Sequence, residues 1–165
     1  MRTITKVVVG LASVALLATA TAQAQSQTGS VSALANVQQP INVVGAVDLD
    51  FGNVFPGVNK TVAVTGATAG RFDVAGQASA PVLISFVLPA NLTGPGNLAI
   101  GTWTGHHNTS NAPTGGTNFT PSAATTNSTL NGSGNLWVFV GATVSPTTNQ
   151  AAGAYSGTVQ MTVTY

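Results

Sequence analysis

Apolar and polar positions alternate along most of this chain. The densest run is Val82, Ile84, Phe86 and Leu88, with Leu83 and Val87 on the opposite face and Pro81 and Pro89 at its ends. A short run that is apolar on both faces predicts a central strand. Leu136, Val138, Val140, Ala142 and Val144 alternate with Trp137, Phe139 and Thr143 as far as Ser145-Pro146, which predicts a second one. After a turn at 149–153, Tyr155, Val159, Met161, Val163 and Tyr165 share one face, and Thr158, Gln160, Thr162 and Thr164 share the other. Nearer the start, Val31, Ala33, Ala35 and Val37 alternate with Ser32, Leu34, Asn36 and Gln38. Pro40 interrupts the backbone donors there, and Ile41 and Val43 resume the apolar face before Gly45.

Val47, Leu49 and Phe51 then form a face opposite Asp48 and Asp50, closed by the turn Phe55-Pro56-Gly57. Val62 with Val64, and Phe72 with Val74, continue the alternation, and Leu98, Ile100 and Trp103 predict one more short strand. Beyond it the pattern stops. Residues 104–134 carry no charge and are dominated by Thr, Asn, Gly and Ser. A loop of that length in a compact domain is functional or locally unstructured. Phe119 and Leu130 are the residues able to pin parts of it, as short strands.

Roughly eight strands at spacings near 8–12 residues, with turn signals between them, are the signature of a β-sandwich or barrel. The composition agrees, being rich in Val, Thr, Ala, Gly and Asn and without a single Glu. The fold class read from the sequence is all-β, in one domain. No internal repeat of solenoid length is visible.

Residues 1–24 read as a secretory signal. Arg2 and Lys6 give a positive start, 7–20 is apolar, and Ala22-Gln23-Ala24 supplies the small-x-small cleavage pattern. The mature chain is expected to begin at Gln25, with 25–44 as an N-terminal extension and 45–165 as the sandwich domain. No later run is long and apolar enough for a membrane anchor. Export through the periplasm to the cell surface or medium follows as the expected localisation. Removing the signal leaves Lys60 and Arg71 against Asp48, Asp50 and Asp73. Two separated cations cannot neutralise a row of phosphates, which argues against a nucleic-acid partner. With Cys 0 in the chain, neither a disulfide nor a thiolate metal site is available.

Candidate chemistry is sparse. Asp48 and Asp50, two apart on a strand, could share a cation, but a solvated strand face is the preferred reading of them. His106-His107 falls in the polar loop, where exposed histidines are the ordinary case, and a zinc site would have to borrow a distant Asp. No Gly-x-Ser-x-Gly elbow accompanies the Ser, His and Asp present, so no catalytic residues, cofactor or metal ligands are assigned and the chain is read as non-enzymatic. Asn-x-Ser/Thr sequons start at Asn59, Asn91, Asn108, Asn118, Asn127 and Asn131, as a Thr/Asn-rich loop produces by composition. Trp137, amid alternating apolar residues, reads as core. Trp103 could be core or an exposed carbohydrate platform.

Two stretches carry a resemblance. The first is Ile41-Asn42-Val43 with Leu49-Asp50-Phe51-Gly52-Asn53-Val54 and the turn Pro56-Gly57. The second is Val140-Gly141-Ala142-Thr143-Val144 with the ending Gly153-Ala154-Tyr155-Ser156-Gly157-Thr158-Val159-Gln160-Met161-Thr162-Val163-Thr164-Tyr165. Together they look like the secreted bacterial family of domain of unknown function 4402. The ending also resembles the spore-coat-protein-U-like subunits of chaperone–usher pili, which commonly carry a disulfide that this chain lacks.

The resemblance implies an immunoglobulin-like pilin sandwich that polymerises when the N-terminal extension of one subunit fills a groove in the next. Val31, Ala33, Ala35 and Val37, extended to Ile41 and Val43, fit the donor strand, and the C-terminal strand with Tyr155, Val159, Met161, Val163 and Tyr165 would border the groove. The partners implied are further copies of the same subunit, a periplasmic chaperone and an outer-membrane usher. Residues 30–44 could equally complete their own domain, since a donor strand and a first strand share one alternation. Other functional expectations are a secreted monomeric binding module, for carbohydrate through Trp103 and the 104–134 loop, and a cation-dependent surface-layer protein using Asp48 and Asp50.

Overall fold

A computed structural model describes residues 25–165. The signal segment expected over 1–24 lies outside the described residues. The chain forms two units, Met1–Ala35 and Asn36–Tyr165. Of the first, residues 25–35 are exposed and take no regular structure. The second unit is a β-sandwich of two antiparallel sheets, with no helix among the described residues.

The larger sheet is built around β9 (Asn135–Ser145), with β6 (Asn97–Asn108) along one side. On its other side β3 (Gly70–Ala75) pairs with the first half and β2 (Lys60–Val62) with the second. β1 (Asn42–Val47) adds to the outer edge of β3. Beyond β6 lie β5 (Asn91–Thr93) and β7 (Thr117–Phe119), one at each end. The smaller sheet has β4 (Pro81–Val87) between β10 (Gln160–Thr164) and β8 (Thr126–Thr129).

These strands form where their alternation can be buried. Val82, Ile84 and Phe86 of β4 face Val74, Leu136, Val138 and Val140 of the larger sheet in one core cluster, joined by Leu130. Val159, Met161 and Val163 pack against the same cluster, on the face expected for them. A second cluster collects Phe51, Val62, Ala69, Leu98, Ile100, Ala142 and Val144. No strand of the smaller sheet contributes to it. Its cover comes from partly buried loop residues, Leu49, Val54 and Tyr155 among them. Complete burial of one such aliphatic side chain contributes about 1.5–3 kcal/mol, so β9, inserted in both clusters, is the principal stabilising element.

Three expected elements differ. Asp48 to Phe51 is not strand: the Asp50 amide donates to the Thr68 carbonyl at 3.0 Å and the Asp50 carboxylate accepts from the Gly52 amide at 2.7 Å, which bends the chain. The expected C-terminal strand is regular only over Gln160–Thr164. The polar stretch 104–134 is largely structured, because β6 continues through His106-His107 to Asn108 and β7 and β8 follow. Phe119 and Leu130 do pin it: Phe119 lies in β7 against the first cluster and Leu130 is buried within it.

Candidate functional site

Among the described residues, β1 pairs only with β3 and β10 only with β4, so each presents an unpaired edge. At one end these two strands are tied together. The Tyr165 hydroxyl donates to the Gln39 carbonyl and accepts from the Gln77 amide at 2.7 Å, while the Gln39 amide donates to the Gln77 side-chain oxygen at 3.3 Å. Gly76 makes room for this ring of bonds: a Cβ there would stand 2.8 Å from the Tyr165 hydroxyl and 2.9 Å from Leu130.

At the other end the strands part. Gly45 and Val47 form one wall of a cleft of about 1130 Å³, and Thr158 and Val159 form the opposite wall. The cleft continues over the second core cluster, between the loops that replace strands there, with Phe72 and Leu98 at its base. Apolar floor and unsatisfied strand edges are the two requirements for accepting an added β-strand.

The residues expected to form a donor strand fall into two groups. Val31, Ala33, Ala35 and Val37 belong to no strand and are exposed, Val31 at 97% and Val37 at 92%. Ile41 and Val43 instead pack against the first core cluster, Val43 as a member of β1 paired with Val74. Of the residues expected to border the groove, Val159 lines the cleft, Met161 and Val163 hold β10 against β4, and Tyr165 closes the tied end. Tyr155 is not on β10. Its ring packs on the second cluster and its hydroxyl joins the Gln150 amide and the Ala151 carbonyl, each at 2.7 Å, which fixes one of the cleft-forming loops.

The histidines are not exposed loop residues. His106 is 4% exposed, on the outward face of the larger sheet against Phe139. The Gly116 amide donates to its Nε2 at 3.2 Å, so its Nδ1 carries the proton and donates to the Asn118 side-chain oxygen at 2.7 Å. Residues 109–116 fold back over this face. Asn108 holds the Ala112 and Thr114 carbonyls, and the Asn111 side chain accepts from Arg71 at 3.3 Å. Arg71 in turn forms an ion pair with Asp73 at 2.8 Å.

His107 points the other way, into the sandwich, where its Nδ1 meets the Ser128 hydroxyl of β8 at 3.0 Å and its ring lies against Phe119. Burial, and secondarily the neighbouring His106, lower its pKa from the ordinary imidazole value. This arrangement links the two sheets.

Asp48 and Asp50 are exposed and line the cleft, but no group of three or more His, Cys, Asp or Glu side chains suited to a metal ion occurs among the described residues. Of the tryptophans, Trp103, open between core and an exposed platform, packs on the core, whereas Trp137 departs from the core place expected of it. Trp103 is partly buried against both core clusters, and Trp137 belongs to neither, lying half-buried across from Asp73 and Asn108.

Comparison with curated proteins gives no match, and neither does comparison with solved structures. The profile of one family, described as "Domain of unknown function (DUF4402)", matches residues 41–165, from the residue before β1 to Tyr165. By that match, over most of its length, the chain belongs to the DUF4402 family.

Proposed function

We propose that this protein is a non-enzymatic structural subunit of an extracellular, fimbria-like filament, assembled by donor-strand β-augmentation. The observation that carries this reading is the cleft between the end of β1 and the Thr158-Val159 lead into β10, two strands that each keep an unpaired edge. Its matching piece is the uncharged segment preceding β1, whose Val31, Leu34 and Val37 are almost wholly exposed. Inserted into the cleft of another copy, that segment would gain main-chain hydrogen bonds along β10 and bury its alternating side chains over the second core cluster. About 15 residues of extended chain span roughly 50 Å, enough to run the length of a strand pair and into the cleft.

The similarity of the Gly-x-Tyr…Thr-Val-Thr ending to spore-coat-protein-U-like pilins supports the same reading and brings in its partners. These are copies of the same chain, with a periplasmic chaperone and an outer-membrane usher acting after export. The immunoglobulin-like, pilin-type form of the sandwich belongs to this proposal. Electron microscopy of native extracellular material tests it, comparing the mature protein with a variant lacking residues 25–39. Thin filaments that vanish on truncation are expected, and monodisperse monomers from both proteins would overturn the proposal.

A further inference from the structure

A subunit that carries both a groove and a strand able to fill it faces a competing reaction, insertion of its own segment. We propose that the clasp formed by Tyr165, Gln39 and Gln77 blocks this self-insertion and so reserves the groove for a second copy. The inference rests on the donor-strand reading above. Its physical basis is the position of the clasp. Gln39 is the root of the N-terminal segment, and the clasp holds it where β1 and β10 are tied, at the other end of β1 from the cleft. The open end is the cleft itself, at Gly45, Val47 and Val159. A strand from another copy can enter from the open end without disturbing the clasp.

The chain's own segment starts at the closed end and would have to reverse direction there. The tightest reversal, a β-turn from Gln39 to Asn42 with Pro40 in its favoured second position, needs the Gln39 carbonyl as acceptor for the Asn42 amide. Folding the chain into that turn would re-orient the Gln39 backbone, which is held on both sides, its amide by the Gln77 side chain and its carbonyl by the Tyr165 hydroxyl. Gln39 itself, as the residue before a proline, is restricted to extended backbone, so the turn cannot be moved to centre on Gln39 in a helical conformation. Self-insertion therefore requires breaking the clasp and pushing aside the Tyr165 ring.

Tyr165→Phe keeps the ring and removes both bonds of the hydroxyl. One hydrogen bond of typical net strength alters such an equilibrium about fivefold, so loss of the two together alters it by roughly 25-fold. Methyl NMR of dilute monomer reads the fate of the segment directly, through Val31, Leu34 and Val37, while Ile84 and Val138 report that the core is intact. In wild type the three segment residues should give narrow, solvent-like signals. In Tyr165→Phe the Val31 and Val37 signals should broaden and shift to core-like positions, with Leu34, on the opposite face, broadening but keeping a solvent-like position, and filament yield should drop by a similar factor. Gln77→Ala, which removes only the acceptor for the Gln39 amide, should act in the same direction.

Segment methyls and filament yield unchanged in both variants would overturn the clasp proposal and leave the groove reading standing. Ordered segment methyls in Tyr165→Phe, from a protein whose wild type never polymerises, would support the clasp and overturn the filament reading. Neither ordering nor polymerisation in any of the three proteins would overturn both.

Discussion

His107 carries a polar contact across a sandwich whose core clusters are otherwise apolar, and its protonation state should show in the stability of the fold. Burial lowers its pKa, so in the folded protein the neutral imidazole is favoured. As pH falls through the ordinary value near 6.5, the unfolded chain takes up a proton before the folded one does. Stability is therefore complete above about pH 6.5 and declines below it, until the folded pKa is reached. Thermal melts across that range should show the decline, and His107→Gln should flatten the portion that this side chain contributes. A melting temperature with the same pH dependence in both proteins would show that the Ser128 contact is indifferent to charge. Nothing in the sequence distinguishes His107 from His106. Their opposite surroundings come from adjacent positions on one strand, whose faces are the apolar core on one side and the folded-back 109–116 segment on the other.

β6 shows how an element can be hidden in plain alternation. Its inward residues are Leu98 and Ile100 in the first half, and Trp103, Gly105 and His107 in the second. The phase changes at a bulge between Gly101 and Thr104, where Thr102 adopts a φ of 48°. A pattern search meets two half-strands of opposite phase, the second containing a glycine and a histidine, and reads the second as loop. Gly105 is there for a packing reason: a Cβ at this position would come within 2.5 Å of the Phe119 ring. The left-handed conformation of a β-branched residue is costly, so Thr102→Gly should stabilise the protein by about 0.5–1 kcal/mol in urea denaturation. Unchanged or lower stability would mean that the bulge is relaxed with threonine in place.

By contrast β9 and β10 were legible because their alternation is unbroken and decides which face is buried, and β4 because its apolar run is bounded by Pro81 and Pro89, although Val87 on its second face is left exposed. The ends of the candidate groove were legible only in part. Val159, Met161 and Val163 follow from alternation, whereas the place of Tyr155 depends on hydrogen bonds within its own loop. The tie between Tyr165 and Gln39 joins positions 126 residues apart, beyond the reach of any local pattern.

For the folded unit as a whole, the two core clusters divide the interior between a region covered by a second sheet and one covered by loops. Such an arrangement could let the loop-covered half open alone. β9 argues otherwise, since Leu136, Val138 and Val140 belong to one cluster while Ala142 and Val144 belong to the other, on a single strand paired along both sides. Breaking either cluster disturbs the backbone ladder that supports the other. The expected result is cooperative melting, with calorimetric and van't Hoff enthalpies in agreement, and two separable transitions would show the clusters to be independent. A domain with this property has no half-open form. Whatever fills the cleft then docks on a rigid floor, and its binding strengthens the entire domain rather than the rim it touches.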